Sequence, residues 1–372
     1  MEKIIYCCIE NIDGSYDGVR NKIFSQVAGL QSIGYDVYLV GYSNCGVCVY
    51  HGDVIIYSKK TSGTIKKRFH VVKAVNYLLK TETDIKTCYI RYSSFSILSK
   101  KLFSDLKKNN CRVIVEVPTY PLHELTGIKR RFFLNEKQIE KTLSRNIDKL
   151  LYIGNRTDTI FGCPATLIPN GINGDISCKN RQIKPSEKIR IISVAYMYPH
   201  QGYERIINAM HKYYSIEHGQ DQVFLTLIGD GPEKDSYSKL IQEYGLEDHI
   251  VLKGKMGRKE LLEEYNNADI GLNSLNTIGF TQLSTLKSKE YLQLGLPFVY
   301  VIPEIGINEN FLYAKKLSCG LDKEIEFEEI VEFAKVIKKQ DPVQVSKSMH
   351  ALARKFTWHE IFLSCDIKIN TD

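Results

Sequence analysis

Lys287 and Glu290 stand about one helical turn apart in "STLKSKEYLQLGLPFVYV" (284–301), a helical pattern that breaks at Gly-Leu-Pro before an apolar strand. Ser284 or Thr285 can cap that helix, whose first N–H groups then point outward. A lysine there opposes the helix dipole, which favours an anion at this end by about 0.3–1 kcal/mol. A diphosphate at the helix start would reverse the cost: Lys287 would give it a charge-assisted hydrogen bond, and Glu290 would accept from ribose hydroxyls. A surface ion pair at i, i+3 explains the same spacing, and spacing alone does not separate the two.

Other residues invite similar questions. In "LIGDGPE" (227–233), Gly229 and Gly231 either bring backbone close to a ligand or simply make a tight turn. "NIDGSYDGVRNKIF" (11–24) puts Gly14 and Gly18 between a first strand and a first helix, where phosphates commonly land. Asp17 and Lys22 could touch an acceptor or phosphate there, or be plain surface charges. Glu116 ends the apolar run "RVIVEV". A carboxylate ending a buried strand has a task or a partner: acceptor orientation, general-base help, or a salt bridge to Arg91. His123 and Glu124 in "TYPLHEL" are weaker candidates of the same kind. No Gly-x-Gly-x-x-Gly and no P-loop occurs, which disfavours a NAD enzyme or an NTPase.

The elements that must hold these residues alternate strand and helix. "IIYCCI", "YDVYLVGY", "TCYIRY", "RVIVEV" and "KLLYIG" suit strands buried on both faces, with helical patterns between them. A polar, turn-rich stretch follows residue 168, and the alternation restarts at "IRIISVA", "VFLTLIG", "IVLKG", "ADIGLNSL" and "PFVYVI". Repeated strand–helix units predict two Rossmann-like, doubly wound α/β domains. The boundaries fall at 1–172 with a returning helix at 354–372, and at 173–353. Ligands are expected in a crevice at the C-terminal strand ends.

Composition excludes other classes. The 372 residues are 43% hydrophobic and 25% charged, and no apolar run is long enough to cross a bilayer. The first residues read as a strand rather than a signal peptide. The ten cysteines form no disulfide-like framework, and Cys45/Cys48 in "NCGVC" lacks the second pair a zinc site needs. The net charge of +7 is concentrated in 59–80 and 129–141. In the first of these, Phe69, Val72, Val75 and Leu79 form a stripe edged by Lys66, Lys73 and Lys80, suiting either an anionic membrane surface or a helix docked on its own domain. No nucleic-acid-binding pattern appears, so no nucleic acid is expected.

With these residues in view, the chain resembles the retaining nucleotide-sugar glycosyltransferases of family 4, which have the GT-B fold. "IPNGI" (168–172) resembles the family's interdomain turn. "LIGDGPE" with "IVLKGKMGRKELLEEYNNADIGLNSL", and "LKSKEYLQLGLPFVYV", resemble its donor-domain core. "DGVRNKIFSQVAGLQSIGYDVYLV" and "RVIVEVPTYP" are similar to the branch that builds bacterial capsular and exopolysaccharides, and "ARKFTWHEIF" resembles a last helix that crosses back to the first domain. The resemblance implies a donor domain for a nucleoside-diphosphate sugar, most often UDP-linked, and a first domain for the acceptor. It implies no metal, and a front-face mechanism in which the leaving phosphate takes the acceptor proton.

Carried over, the resemblance places Glu290 at the ribose, and puts Gly254, Leu283 and Ser284 beside Gly229 and Gly231 at the donor. The family's first motif glutamate is here Gln282, and its phosphate-binding Arg and Lys fall on Tyr196 and Gln201. His200, Arg205 and Lys287 are the nearby cations that could compensate. Glu116, Lys287 and Arg205 are the expected catalytic set; Gly14, Asp17, Gly18, Lys22, His123 and Glu124 are the expected acceptor contacts. The implied enzyme is a cytoplasmic hexosyltransferase, peripheral to the inner face of the membrane, acting on a lipid-linked oligosaccharide. A non-catalytic scaffold and a UDP-sugar epimerase remain alternatives.

Overall fold

The computed structural model describes residues 1–13, 18–94, 96–122, 142–174, 187–216, 219–276, 279–321 and 323–367. Gly14, Asp17, His123, Glu124 and the basic segment 129–141 lie outside the described residues. The chain divides into two compact units, Met1–Gly174 with Thr357–Asp372, and Asp175–Phe356.

The first unit runs β1 (Glu2–Asn11), α1 (Gly18–Ser32), β2 (Tyr35–Ser43), β3 (Gly46–His51), β4 (Val54–Lys59), α2 (Thr64–Thr81), β5 (Ile85–Arg91), α3 (Ile97–Lys108), β6 (Arg112–Tyr120), β7 (Lys149–Gly154), β8 (Thr159–Ile160) and β9 (Cys163–Leu167). The sheet order is β4-β3-β2-β1-β5-β6-β7-β9-β8. Its central strands are parallel, while β3, β4 and β8 pair antiparallel. Alternation in β1 feeds two cores: Ile5 and Cys7 join one with α2 and α3, whereas Ile4, Tyr6 and Cys8 join another with α1 and the last helix, Trp358–Ser364. Trp358 is fully buried, and both Gly29 of α1 and Gly171 lie so close to it that a Cβ on either would collide with it. Its backbone N–H donates to the Ile172 carbonyl at 3.1 Å.

The second unit runs β10 (Ile189–Val194), α4 (Tyr203–Ser215), β11 (Val223–Ile228), α5 (Lys234–Glu243), β12 (Ile250–Lys253), α6 (Arg258–Asn267), β13 (Ile270–Leu272), α7 (Leu286–Leu294), β14 (Phe298–Tyr300), β15 (Ala314–Lys316), α8 (Phe327–Lys338) and α9 (Pro342–Arg354). All its strands are parallel, in the order β12-β11-β10-β13-β14-β15. That is the dinucleotide-fold order, and its direction reverses between β10 and β13. Both units are Rossmann-like, the two kinds of domain that make up the GT-B fold. Helix α2 takes the docked alternative for most of its stripe: Val72 and Val75 are buried and Leu79 packs on the core, so these side chains face inward. Only Ile65 and Phe69, 62% and 43% exposed, remain outside at its N-terminal end.

Candidate active site

The loops that follow β10 and β13 flank the switch point of the second sheet, and the start of α7 lies against them. Thr285 caps α7, its hydroxyl accepting from Ser288 N–H at 3.1 Å. Lys287, partly buried in the first turn, donates its Nζ to Gln201 Oε1 at 2.6 Å. Ser274, just after β13, donates to the same oxygen at 3.1 Å. The Tyr203 ring lies 5.6 Å from the Lys287 amine. Burial, only partly offset by the Glu304 charge, lowers Lys287 to about 7. His200 is exposed as a residue, yet desolvation of its ring and then the Lys287 charge push its imidazole down too.

Glu290 is one turn on, its Oε2 accepting from Tyr265 at 2.9 Å and its Oε1 paired with Arg258. Behind them lies an ion pair that the sequence reading missed. Lys289 and Glu304, both without exposed surface, meet at 3.0 Å. Glu304 also accepts from Ser288 at 2.8 Å, Asn273 at 2.6 Å and the Thr285 hydroxyl at 2.9 Å. A buried charge with these partners is satisfied in full, and it ties α7 to the loops after β13 and β14. The parallel bridge Leu283–Glu304 makes the same connection through backbone, with Ser284 buried beside it. Gln282 is partly buried just upstream.

Arg205 does not join this group. Its guanidinium donates to the carbonyls of Leu275, Gly320 (2.9 Å) and Lys323 (2.6 Å), so it holds main chain together rather than standing ready for a phosphate. Gly229 and Gly231, at φ +132° and +151°, let the loop after β11 lie against Ala195–Met197. Met197 N–H donates to the Asp230 carbonyl at 2.7 Å. This is a tight-turn role, and it supports the segment carrying Tyr196, which is half exposed. Gly254 follows β12, and a Cβ there would meet open space.

In the first unit, Glu116 is sealed from solvent. It meets Lys22 Nζ at 2.8 Å and Arg91 Nη1 at 3.1 Å, and accepts from Gln26 at 2.6 Å and Tyr89 at 2.8 Å. Burial alone would raise its carboxyl, but Lys22 and Arg91 outweigh that and hold it at about 2. Lys22 is likewise buried, one turn into α1 rather than on a surface loop, and desolvation lowers it to about 8 despite Glu116. Neither group reaches an acceptor here; the two are a buried pair that fixes α1 against β6, which is the salt-bridge alternative enlarged. Gly18 begins α1 and is exposed. A cavity of about 50 Å³ opens beside this cluster where β1 and β5 end, with Cys8, Arg68, Arg91, Ser94, Ser99 and Phe103 in its wall. Arg68 is nine-tenths buried and donates to the Ser94 carbonyl at 2.7 Å. Cys48 is buried in β3, whereas Cys45 is exposed. Among the described residues, no group of His, Cys, Asp and Glu is arranged to hold a metal ion.

Residues 177–277 match the family described as Glycosyl transferases group 1. The chain is 22% identical over 82% of its length to the phosphatidylinositol N-acetylglucosaminyltransferase GPI3 subunit of Saccharomyces cerevisiae, covering 70% of that protein. Its fold matches a glycosyltransferase from Rickettsia africae with a TM-score of 0.68 at 13% identity, over 98% of this chain and 96% of that one. Anabaena Alr3699/HepE, solved in complex with UDP-glucose, matches with a TM-score of 0.59 at 13% identity over 99% of each chain. Among its described residues, the chain has no helix long and apolar enough to cross a membrane.

Proposed function

We propose that the enzyme transfers a hexose from a UDP-linked donor to a lipid-linked oligosaccharide, with retention, in the synthesis of a bacterial surface polysaccharide. The observation that carries this reading is the Lys287 amine at the start of α7, beside Glu290 and at the switch point of the second sheet. A diphosphate there meets the helix N-terminus and the amine together, which stabilises charge developing on the leaving group without a metal. Ribose hydroxyls then donate to Glu290, displacing Arg258 and Tyr265. The leaving phosphate oxygen takes the acceptor proton as the new bond forms on the same face.

Two features of the first unit support an amphiphilic acceptor bearing phosphate. Arg68 and Arg91 stand in the wall of the cavity at the ends of β1 and β5. Ile65 and Phe69 are exposed at the basic start of α2, in keeping with peripheral attachment to an anionic cytoplasmic membrane face.

A thermal-shift titration against nucleotides and nucleotide sugars tests the donor assignment. UDP is expected to raise Tm, and Glu290→Ala is expected to lower UDP affinity tenfold or more while the fold persists. If no nucleoside diphosphate shifts Tm, the transferase reading gives way to a non-catalytic partner subunit.

A further inference from the structure

Lys287 sits where a cation is costly. It is partly buried, lies at the positive end of α7, and is within ion-pair distance of no carboxylate among the described residues. Glu304 is taken up by Lys289, Ser288, Asn273 and Thr285, and Glu290 by Arg258 and Tyr265. The amine is held instead by a neutral amide. Gln201 cannot easily withdraw: it is buried, its carbonyl accepts from Leu275 N–H at 2.9 Å, and its side-chain oxygen also takes the Ser274 hydroxyl. The next residue, Gly202, turns the chain at φ +67°, close against Asn276. A desolvated amine with no carboxylate in ion-pair contact favours its neutral form, and an arriving anion restores the charged one.

We propose that a nucleoside diphosphate binds at Lys287 with uptake of a proton from solvent, and that Gln201 is the positioning residue for this step. The amide oxygen accepts a hydrogen bond from the amine and from the ammonium alike, so the side chain keeps its aim while its charge changes. The balance is simple: R–NH2 plus H+ gives R–NH3+, which then donates to a diphosphate oxygen, and no covalent bond is made or broken. The lowering of Lys287 to about 7 puts this change within the working range of pH. The other groups around Lys287 are His200 and Tyr203 before and at the start of α4, Asn273 and Ser274 after β13, and Glu304 after β14. Lys289 and Glu290 share its own helix; α9 brings His350 to the far end, at Gln293. Of these, His200 is the imidazole that feels the Lys287 charge directly, so the test must separate it.

The inference rests on the donor reading. Calorimetry of UDP binding to the full chain, in buffers of differing ionisation enthalpy, measures the protons exchanged. Near pH 8.5 uptake is expected to approach one proton per UDP and to fall as pH drops through 7. UDP affinity is expected to weaken by up to about tenfold per pH unit above 7. Lys287→Met should lose the uptake and His200→Asn should keep it. Gln201→Glu supplies a carboxylate that charges Lys287 before ligand arrives, so it should bring uptake near zero in a folded protein. UDP binding with no proton uptake, or uptake that survives Lys287→Met, overturns the inference alone; an absence of UDP binding overturns it together with the donor reading.

Discussion

Glu116 and Lys287 are both ionisable groups withdrawn from water, and their surroundings treat charge in opposite ways. Two cations and two neutral donors surround Glu116, whereas Lys287 has an amide and an aromatic face. Removing one partner from a buried ion pair leaves the others uncompensated, at roughly 3–5 kcal/mol. Glu116→Gln is therefore expected to lower the urea unfolding free energy of the first unit by about that amount. The sign with pH follows from a folded pKa of about 2, below the ordinary glutamate value of about 4.3. Glu116 contributes stability above the ordinary value and loses it as pH falls towards 2, so the variant should show a shallower acid transition. The need for a partner at Glu116 was legible because a carboxylate inside an apolar strand requires one, and Arg91 lies opposite it in the β5–β6 register. Lys22 was not legible as that partner, since it stands on α1 and Glu116 on β6, far apart in sequence, and only the folded chain brings them together. Lys289–Glu304 left no local trace: its members are fifteen residues apart, on a helix and a following loop, and only the folded chain brings them together.

Among elements, the loop after β11 shows how a glycine pattern can belong to packing rather than to a ligand. A Cβ on Gly231 would come within 2.5–2.8 Å of the Met197 backbone, at a φ that side chains avoid. Gly231→Ala is expected to cost about 2–3 kcal/mol in the second unit and to disturb the segment that carries Tyr196 and leads to Gln201. Urea unfolding together with UDP titration measures both effects; an unchanged midpoint would mean the loop yields freely. The parallel strands were readable because strands covered on both faces are nearly continuous apolar runs. The β3–β4 hairpin was not, because its exposed residues, Val54 and Ile55 among them, blur the expected alternation of apolar and polar positions. In α2, periodicity correctly found an apolar face but could not say whether protein or lipid covers it; Val72 and Val75 answer for protein.

For the whole molecule, the remaining question is attachment. Ile65 and Phe69 are exposed beside Lys66 and Lys73, whose amine lies 4.6 Å from the Phe69 ring centroid. Each lysine near an anionic surface is worth about 1 kcal/mol. Lys66→Ala with Lys73→Ala should thus weaken co-sedimentation with phosphatidylserine-containing vesicles by roughly tenfold or more, and should leave weak binding to neutral vesicles unchanged. Equal binding by the double variant would remove α2 as the contact.

The two glycines around Trp358 have a consequence in time as well as in space. The first unit breaks off at Gly174 and resumes only at Thr357, so its tryptophan emerges after the entire second unit has been made. At about 5–20 residues per second, that interval is on the order of 10–40 s. Throughout it, the nascent first unit carries an unfilled apolar slot between Gly29 and Gly171, and the half of the protein that starts folding first is the last to be completed.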